Sequence, residues 1–347
     1  MYVLSPINKY FINLFKDKFL NKKIIFAGNI KDKIPIYLNT LFSFINTYNY
    51  NYYTWLKKNF CKKNLCYGIM KNKYKKYNFN VLIFFWLKNK QESIFILNNI
   101  LSFLSLKTKI FILGANNSGV RSLHNLEKFK IINFKNTINA RKHIIFYGIL
   151  TKHISFNINN YWNYYNYNNY KIYNLPGVFG GNKIDNGSEL LISTINNYSL
   201  IKGKILDLGC GSGIISIIIN NNMRKYKKKY SIYSVDIDAK AVYSTKKTLK
   251  ENLIKNIHVF PSNIYSNIKD KFDFIISNPP FHDDLKYSLT FIYQMIDEFK
   301  KNIKYKGELL FVANNFIPYK KIFNNFTYKF FILSKNKKFS VYKIKNI

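Results

Sequence analysis

At 347 residues, 48% of them hydrophobic, the chain holds enough apolar material for two separately cored domains and too much for a disordered tail. Its three cysteines, Cys61, Cys66 and Cys210, are too few and too scattered for a disulfide framework or a four-ligand metal site. The net charge of +38 permits an RNA partner without demonstrating one, because nearly all of it is lysine and the abundance of Asn, Ile, Tyr and Phe points to A- and T-rich codons.

No apolar run approaches the roughly 20 residues that cross a bilayer. The first 18 residues mix Asn, Lys and Asp with apolar residues and lack a small-residue cleavage site, so no signal peptide is read. The expectation is a cytoplasmic monomer that binds neither membrane nor metal, with chelation by Cys61 and Cys66 as the alternative.

In chain order, Lys23 to Ala27, Val81 to Phe85 and Lys109 to Leu113 are strand-like, with helical stretches between them. This blurred rhythm suggests a doubly wound N-terminal domain over residues 1–156, and with it an ancient duplication of the second half. Residues 157–174, which open with the Tyr- and Asn-rich run Asn157 to Tyr170, read as a low-complexity linker or a loose surface strand. From 175 to 347 strand and helix patterns alternate, which predicts an α/β fold with a parallel sheet covered on both faces. The strand candidates there are Lys204 to Leu208, Ser231 to Val235, Ile257 to Phe260, Phe272 to Ser277 and Glu308 to Ala313. Phe330 to Leu333 and Phe339 to Ile344 close the chain as a hairpin.

Three motifs in this half carry chemistry. Asp207-Leu208-Gly209-Cys210-Gly211-Ser212-Gly213 joins a strand to a helix, where glycines allow a tight turn and close approach of a ligand to backbone. Such a turn can also serve packing alone; Ile214, where a dinucleotide fingerprint needs a third glycine, disfavours a nicotinamide cofactor. Asp236 ends the next strand, where a carboxylate can accept hydrogen bonds from both hydroxyls of a ribose; its alternative is to cap the helix starting near Ala239, a role open to Asp238 as well. Loop and carboxylate together point to a nucleoside cofactor.

The third motif, Ser277-Asn278-Pro279-Pro280-Phe281-His282, follows an apolar strand. The prolines hold the chain extended, so that carbonyls can face a cleft. An exocyclic amine on a base is a poor nucleophile because its lone pair is delocalised into the ring. The side-chain oxygen of Asn278 and the carbonyl of Pro279 can each accept one N–H, drawing the nitrogen towards a tetrahedral shape aimed at an electrophilic methyl. Phe281 can stack on the base.

With these motifs in order, the chain resembles class I S-adenosylmethionine-dependent methyltransferases of the Asn-Pro-Pro-Phe type. Leu175 to Phe179, Asp185 to Ser188, Ser277 to Asp283 and Val312 to Asn314 resemble the ribosomal RNA small subunit methyltransferase C family, as do Phe26 to Gly28, Lys88 to Lys90 and Asn117 to Ser122. The resemblance implies two tandem Rossmann-like methyltransferase domains, the N-terminal one degenerate. It also implies N2-methylation of a guanine in 16S ribosomal RNA, with S-adenosyl-L-methionine as cofactor and the small ribosomal subunit as partner.

Carried onto this sequence, the cofactor would meet Asp207, Gly209, Gly211 and Gly213 at its methionine end, Asp236 at its ribose and Asn263 near its adenine, while Asn278, Pro279, Pro280 and Phe281 would hold the guanine. Asp185 either lines the cofactor pocket or only caps the helix beginning near Glu189, and His282 and Asp283 are open to a helix N-terminal role. The alternatives are methylation of adenine N6 or of a protein glutamine, and a non-catalytic RNA-binding assembly factor.

Overall fold

The structure, a computed structural model, describes residues 3–196, 202–225, 227, 229–280, 285–317, 323, 326 and 328–346. The chain divides into two compact units, Met1–Tyr161 and Trp162–Ile347. In the first unit the strands are β1 (Lys23–Gly28), β2 (Phe42–Thr47), β3 (Leu65–Tyr67), β4 (Val81–Phe85), β5 (Lys109–Ala115), β6 (Ile132–Ala140) and β7 (His143–Leu150). Its helices are α1 (Pro6–Phe19), α2 (Ile34–Tyr37), α3 (Tyr50–Leu56) and α4 (Lys90–Leu101).

The second unit opens with the hairpin β8 (Asn163–Tyr167) and β9 (Tyr170–Asn174), followed by α5 (Asn186–Asn196). Then come β10 (Gly203–Leu208), α6 (Ile214–Lys225), β11 (Tyr230–Asp236), α7 (Ala239–Glu251), β12 (Ile257–Pro261) and β13 (Phe272–Ser277). The chain ends through α8 (Leu285–Asp297), α9 (Phe299–Asn302), β14 (Ile303–Asn314), β15 (Phe330–Lys335) and β16 (Phe339–Lys345).

Both units build the same seven-stranded sheet, ordered β3-β2-β1-β4-β5-β7-β6 and β12-β11-β10-β13-β14-β16-β15. Neighbours are parallel except at one edge, where β7 and β16 run antiparallel to β5 and β14 and pair with β6 and β15. This is the tandem Rossmann-like architecture expected from the sequence. Strand order reverses between β1 and β4, and between β10 and β13. Ligands of doubly wound sheets bind at the carboxyl ends of strands beside such a switch point.

Strand alternation splits each sheet into two cores. In β10, Ile205 faces the cluster of Ile217, Ile218, Leu191 and Ile276, while Leu206 and Leu208 face Ile275, Ile292 and Phe311. Burying each such side chain contributes about 1.5–3 kcal/mol, so truncating Ile276 would loosen the strand that carries Asn278. In the first unit, Phe11, Phe15 and Phe19 recur at helical spacing along α1 and pack on Phe111 with ring centroids 5.0–5.5 Å away.

The segment expected as a linker is, from Trp162 on, a hairpin docked on α7. Thr248 Oγ1 accepts from the Tyr173 amide at 2.9 Å, and Asn252 Oδ1 from the Lys171 amide at 3.1 Å. Its composition hides a period of two: Ile172 and Asn174 are buried while Lys171 is exposed. In the first unit, β6 escapes the sequence reading because as an edge strand it is mostly polar and half solvated.

Candidate functional site

A cavity of about 280 Å³ opens at the carboxyl ends of β10, β11 and β13, at the switch point of the second sheet. Gly209, Gly211, Asp236, Asn263, Asp185, Asn278, Pro279 and Pro280 all line it. Asn278 and Asp185, 93 residues apart in sequence, are thus brought to one place. Phe281, His282 and Asp283 lie outside the described residues.

The glycine loop divides into two roles. Gly209 and Gly211 hold φ of +81° and +54°, and a Cβ at either would meet no atom within 4 Å. Side chains there would stand in the cavity, so these glycines form a cradle kept open for a ligand. Gly213, at φ +86°, faces inward: its Cβ would lie 2.9 Å from Thr245 Cγ2 on α7. It serves the packing of α6 on α7 and, contrary to the sequence expectation, does not line the cavity.

Asp207 does not line the cavity either. It is fully buried beneath the loop, where Ser216 Oγ of α6 donates to its Oδ2, and Ser216 Oγ lies 2.6 Å from Ser234 Oγ of β11. Its Oδ1 has no partner among the described residues. Burial pushes its carboxyl up to about 7, against the Ser216 hydrogen bond and with the charge of Asp236 adding to the rise.

Asp236 is clamped at the end of β11. Its Oδ2 accepts from the Gly211 amide at 3.0 Å and its Oδ1 from the Asp238 amide at 2.9 Å. Burial pushes this carboxyl up to about 6, partly offset by the Asp238 amide. Asp238 takes the capping role, accepting from the Lys240 amide at 2.9 Å at the start of α7. Each oxygen of Asp236 keeps a lone pair for a ligand hydroxyl.

Asp185 has both of the roles left open by the sequence. Its Oδ2 accepts from the amides of Gly187 at 2.9 Å and Ser188 at 3.1 Å, capping α5, and the side chain also lines the cavity. Asn278 Nδ2 lies 3.3 Å from Asp185 Oδ1 and donates to Ser188 Oγ at 2.7 Å. A carboxylate cannot donate, so the amide nitrogen must face it, and Asn278 Oδ1 is left as an acceptor. Below, Ser277 Oγ donates to the Leu208 carbonyl at 2.7 Å, tying β13 to β10.

The sequence gives no role to Tyr165 or Ile264, and names Ser188 only as the end of the Asp185 to Ser188 stretch. Tyr165, from the hairpin, lines the cavity; burial pushes its hydroxyl up to about 12, against a hydrogen bond with Ser212. Nothing in a run of tyrosines marks which one turns inward. Ile264 holds φ +49°, a strained state for a β-branched residue, closed by Ser262 Oγ donating to its carbonyl at 2.7 Å. That turn presents Asn263 to the cavity.

In a chain of net charge +38, the cavity is lined by Asp185, Asp236 and Asp238, with no lysine or arginine among its described lining residues. A polyphosphate would be repelled there. A cationic ligand carrying a ribose fits, as does the open glycine cradle. No group of three or more His, Cys, Asp or Glu able to hold a metal occurs among the described residues, and none of their helices is long and apolar enough to cross a membrane.

In the first unit β1 and β4 approach closely at the equivalent switch point. A Cβ on Gly28, at the end of β1, would collide with the carbonyl oxygen of Phe85 at the end of β4. The buried Trp86 follows, its Nε1 donating to the Ser118 carbonyl at 3.2 Å. Asn89 caps α4 by accepting from the Glu92 amide at 3.1 Å.

Residues 169–343 match the family described as Methyltransferase small domain, and residues 13–165 match Methyltransferase small domain N-terminal. The chain is 39% identical over 331 residues to ribosomal RNA small subunit methyltransferase C of Buchnera aphidicola subsp. Schizaphis graminum, covering 94% of each chain. It is 33% identical over 331 residues to the protein of that name from Erwinia tasmaniensis, covering 94% of this chain and 93% of that one. Among solved structures, the T. thermophilus 16S rRNA N2 methyltransferase in complex with AdoMet and guanosine superposes with a TM-score of 0.77 at 16% identity, covering 99% of this chain and 92% of that one.

Proposed function

The chain belongs to the ribosomal RNA small subunit methyltransferase C family, and from that premise we propose that its second unit methylates the exocyclic N2 of a guanine in 16S ribosomal RNA, using S-adenosyl-L-methionine. The observation that carries this reading is the orientation of Asn278, whose Nδ2 is tied to Ser188 and faces Asp185, so that Oδ1 can accept an amine proton.

The cofactor supplies an electrophilic methyl on a positively charged sulfur. Gly209 and Gly211 make room for its amino-acid end, Asp236 accepts from its ribose, and Asn263 borders its base. The carboxylates of Asp185, Asp236 and Asp238 complement its positive charge. Asn278 Oδ1 and the Pro279 carbonyl each accept one N–H of the guanine amine, turning its lone pair out of conjugation. Pro279 and Pro280 hold that backbone extended at the cavity wall. Phe281 has the stacking role assigned to it from sequence.

Asp207 and Gly213 act one layer back: Asp207 joins β10 to α6 under the loop, and Gly213 lets α6 approach α7. The first unit, which matches the N-terminal family model and lacks the Asn-Pro-Pro-Phe motif, is a degenerate methyltransferase-like domain. The protein acts as a cytoplasmic monomer on the small subunit.

Transfer from labelled S-adenosylmethionine to unmodified small subunits, comparing the native protein with Asn278→Ala, tests the reading. Label recovered as N2-methylguanine and lost in the variant is expected. Label on adenine N6 or on a glutamine, or no label despite cofactor binding, overturns it.

A further inference from the structure

Tyr165 stands in the cavity with no part in the transfer chemistry derived above. It belongs to β8, outside every motif that marks the site in sequence. Of Tyr161, Tyr164, Tyr165, Tyr167, Tyr170 and Tyr173, Tyr165 alone lines the cavity among the described residues. Pairing across the hairpin sets its direction. Tyr165 lies opposite the fully buried Ile172, while Tyr164 lies opposite Tyr173 and is 54% exposed.

The hairpin is held firmly enough to aim that side chain. Beside the Tyr173–Thr248 bond, the Leu175 amide donates to Ser244 Oγ at 3.0 Å, so α7 fixes β9 and β9 fixes β8. The Tyr165 ring packs on the core around Ile172 and Leu191, and its hydroxyl bonds with the side chain of Ser212 in the glycine loop.

A donor count shows what this hydroxyl is for. The amino-acid end of S-adenosylmethionine brings a carboxylate into a cavity whose charged lining is Asp185, Asp236 and Asp238. With no cation beside it, that carboxylate depends on directed hydrogen-bond donors. Most amides of the loop are already committed. Those of Gly209 and Cys210 both donate to the Val235 carbonyl, at 2.9 and 3.0 Å. That of Gly211 donates to Asp236 Oδ2 at 3.0 Å and that of Gly213 to the Cys210 carbonyl at 2.8 Å. Asn278 Nδ2 is tied to Ser188, and Ser262 Oγ donates to the Ile264 carbonyl at 2.7 Å. In the loop this leaves Ser212, the residue that Tyr165 reaches.

We infer that the Tyr165 hydroxyl, together with Ser212, binds the carboxylate of the cofactor's methionine end. The phenol is pushed up to about 12 by burial, so it keeps its proton and donates throughout the neutral range. Packing alone would be served equally by phenylalanine, of which the chain has 31. The hairpin thereby makes the site selective for a cofactor that carries its carboxylate. This assignment rests on S-adenosylmethionine being the cofactor, as in the guanine-methylation reading.

The test is calorimetric titration of the full chain with S-adenosylmethionine and with its decarboxylated form, S-adenosylmethioninamine. Native protein, Tyr165→Phe and the outward-facing control Tyr164→Phe are compared, with melting temperatures and transfer kinetics beside them. Tyr165→Phe keeps the ring, so its melting temperature without ligand should stay near native. It is expected to bind S-adenosylmethionine about 10- to 100-fold more weakly, as when one charge-assisted hydrogen bond is lost, and the decarboxylated form within about twofold of native. KM for the cofactor rises while kcat holds, and Tyr164→Phe stays near native throughout. Unchanged S-adenosylmethionine affinity in Tyr165→Phe, or equal losses for the two ligands, overturns the proposal. A loss confined to the carboxylate-bearing ligand, without N2-methylguanine from the native protein, would leave Tyr165 in its role and sink the transfer reading. N2-methylguanine from the native protein, with native cofactor affinity in the variant, would do the reverse. No binding of S-adenosylmethionine by the native protein would overturn both.

Discussion

Asn278 Nδ2 donates to Ser188 Oγ across 2.7 Å, and that bond, with the Asp185 carboxylate 3.3 Å away, fixes which end of the amide meets an incoming amine. Ser188 sits in the first turn of α5, so the helix that Asp185 caps also aims the group proposed to accept the substrate proton. A free amide would rotate between donor and acceptor faces; this one is held with its acceptor outward.

Removing the tie should slow transfer without disturbing the cofactor. Ser188→Ala is expected to lower kcat about 3- to 10-fold, the equivalent of one neutral hydrogen bond of about 0.5–1.5 kcal/mol. The cofactor dissociation constant should stay near native. Steady-state kinetics and calorimetric titration separate the two; weaker cofactor binding with kcat unchanged would assign Ser188 to the cofactor pocket alone.

Asp236 offers a pH-dependent test. Its carboxylate form is the one suited to accept from ribose hydroxyls and to face a cation, and its carboxyl is pushed up to about 6. Affinity for S-adenosylmethionine should therefore fall as pH drops through about 6. Asp236→Asn should bind about 10- to 100-fold more weakly at neutral pH, as expected when charge-assisted bonds of about 1.5–3 kcal/mol are lost. Its affinity should also no longer respond to pH in that window. Titrations at a series of pH values decide; an unchanged pH response in the variant removes Asp236 from the cause.

The sequence announced the second unit more clearly than the first for a physical reason. Asp207 to Gly213, Asp236 and Asn278 to Phe281 are local motifs, each set at the end of an apolar strand, and their spacing alone placed them at one sheet end. Tyr165 carries no such mark, and Ser188 is marked only as the end of the Asp185 to Ser188 stretch, because their roles depend on which face of the hairpin β8-β9 and of α5 turns inward, and only packing decides that. The resemblance also grouped Gly213 with Gly209 and Gly211, and all three hold a left-handed φ. What separates them is the neighbour a Cβ would meet: Thr245 for one, open cavity for the others.

Asp207 should make the protein less stable as pH rises. Burial pushes its carboxyl from 3.8 up to about 7, so the folded state binds the proton more tightly than the unfolded one. Its contribution is fully present below about pH 4 and is lost as pH rises to about 7, at up to about 1.4 kcal/mol per pH unit. Asp207→Asn keeps the shape without the charge. The melting temperature of this variant relative to native should rise between pH 4 and 7 and level off above. A constant difference across that range would show that folding does not raise the Asp207 carboxyl above its unfolded value.

Gly213→Ala and Gly209→Ala should fail in different ways. Both place a Cβ at a left-handed φ, which costs about 1–2 kcal/mol. At Gly213 the added methyl also lies 2.9 Å from Thr245 Cγ2, so α6 must shift from α7. Gly213→Ala should lose several degrees of melting temperature, on the order of 2–4 °C per kcal/mol for a domain of this size, yet still be stabilised by saturating S-adenosylmethionine. At Gly209 the methyl meets no protein atom and occupies ligand space. Gly209→Ala should melt closer to native without ligand, but gain little when the cofactor is added, since a ligand stabilises only as far as it binds the folded state. Thermal melts of both variants with and without cofactor check this. A full cofactor shift in Gly209→Ala would mean the cradle is not where the ligand sits.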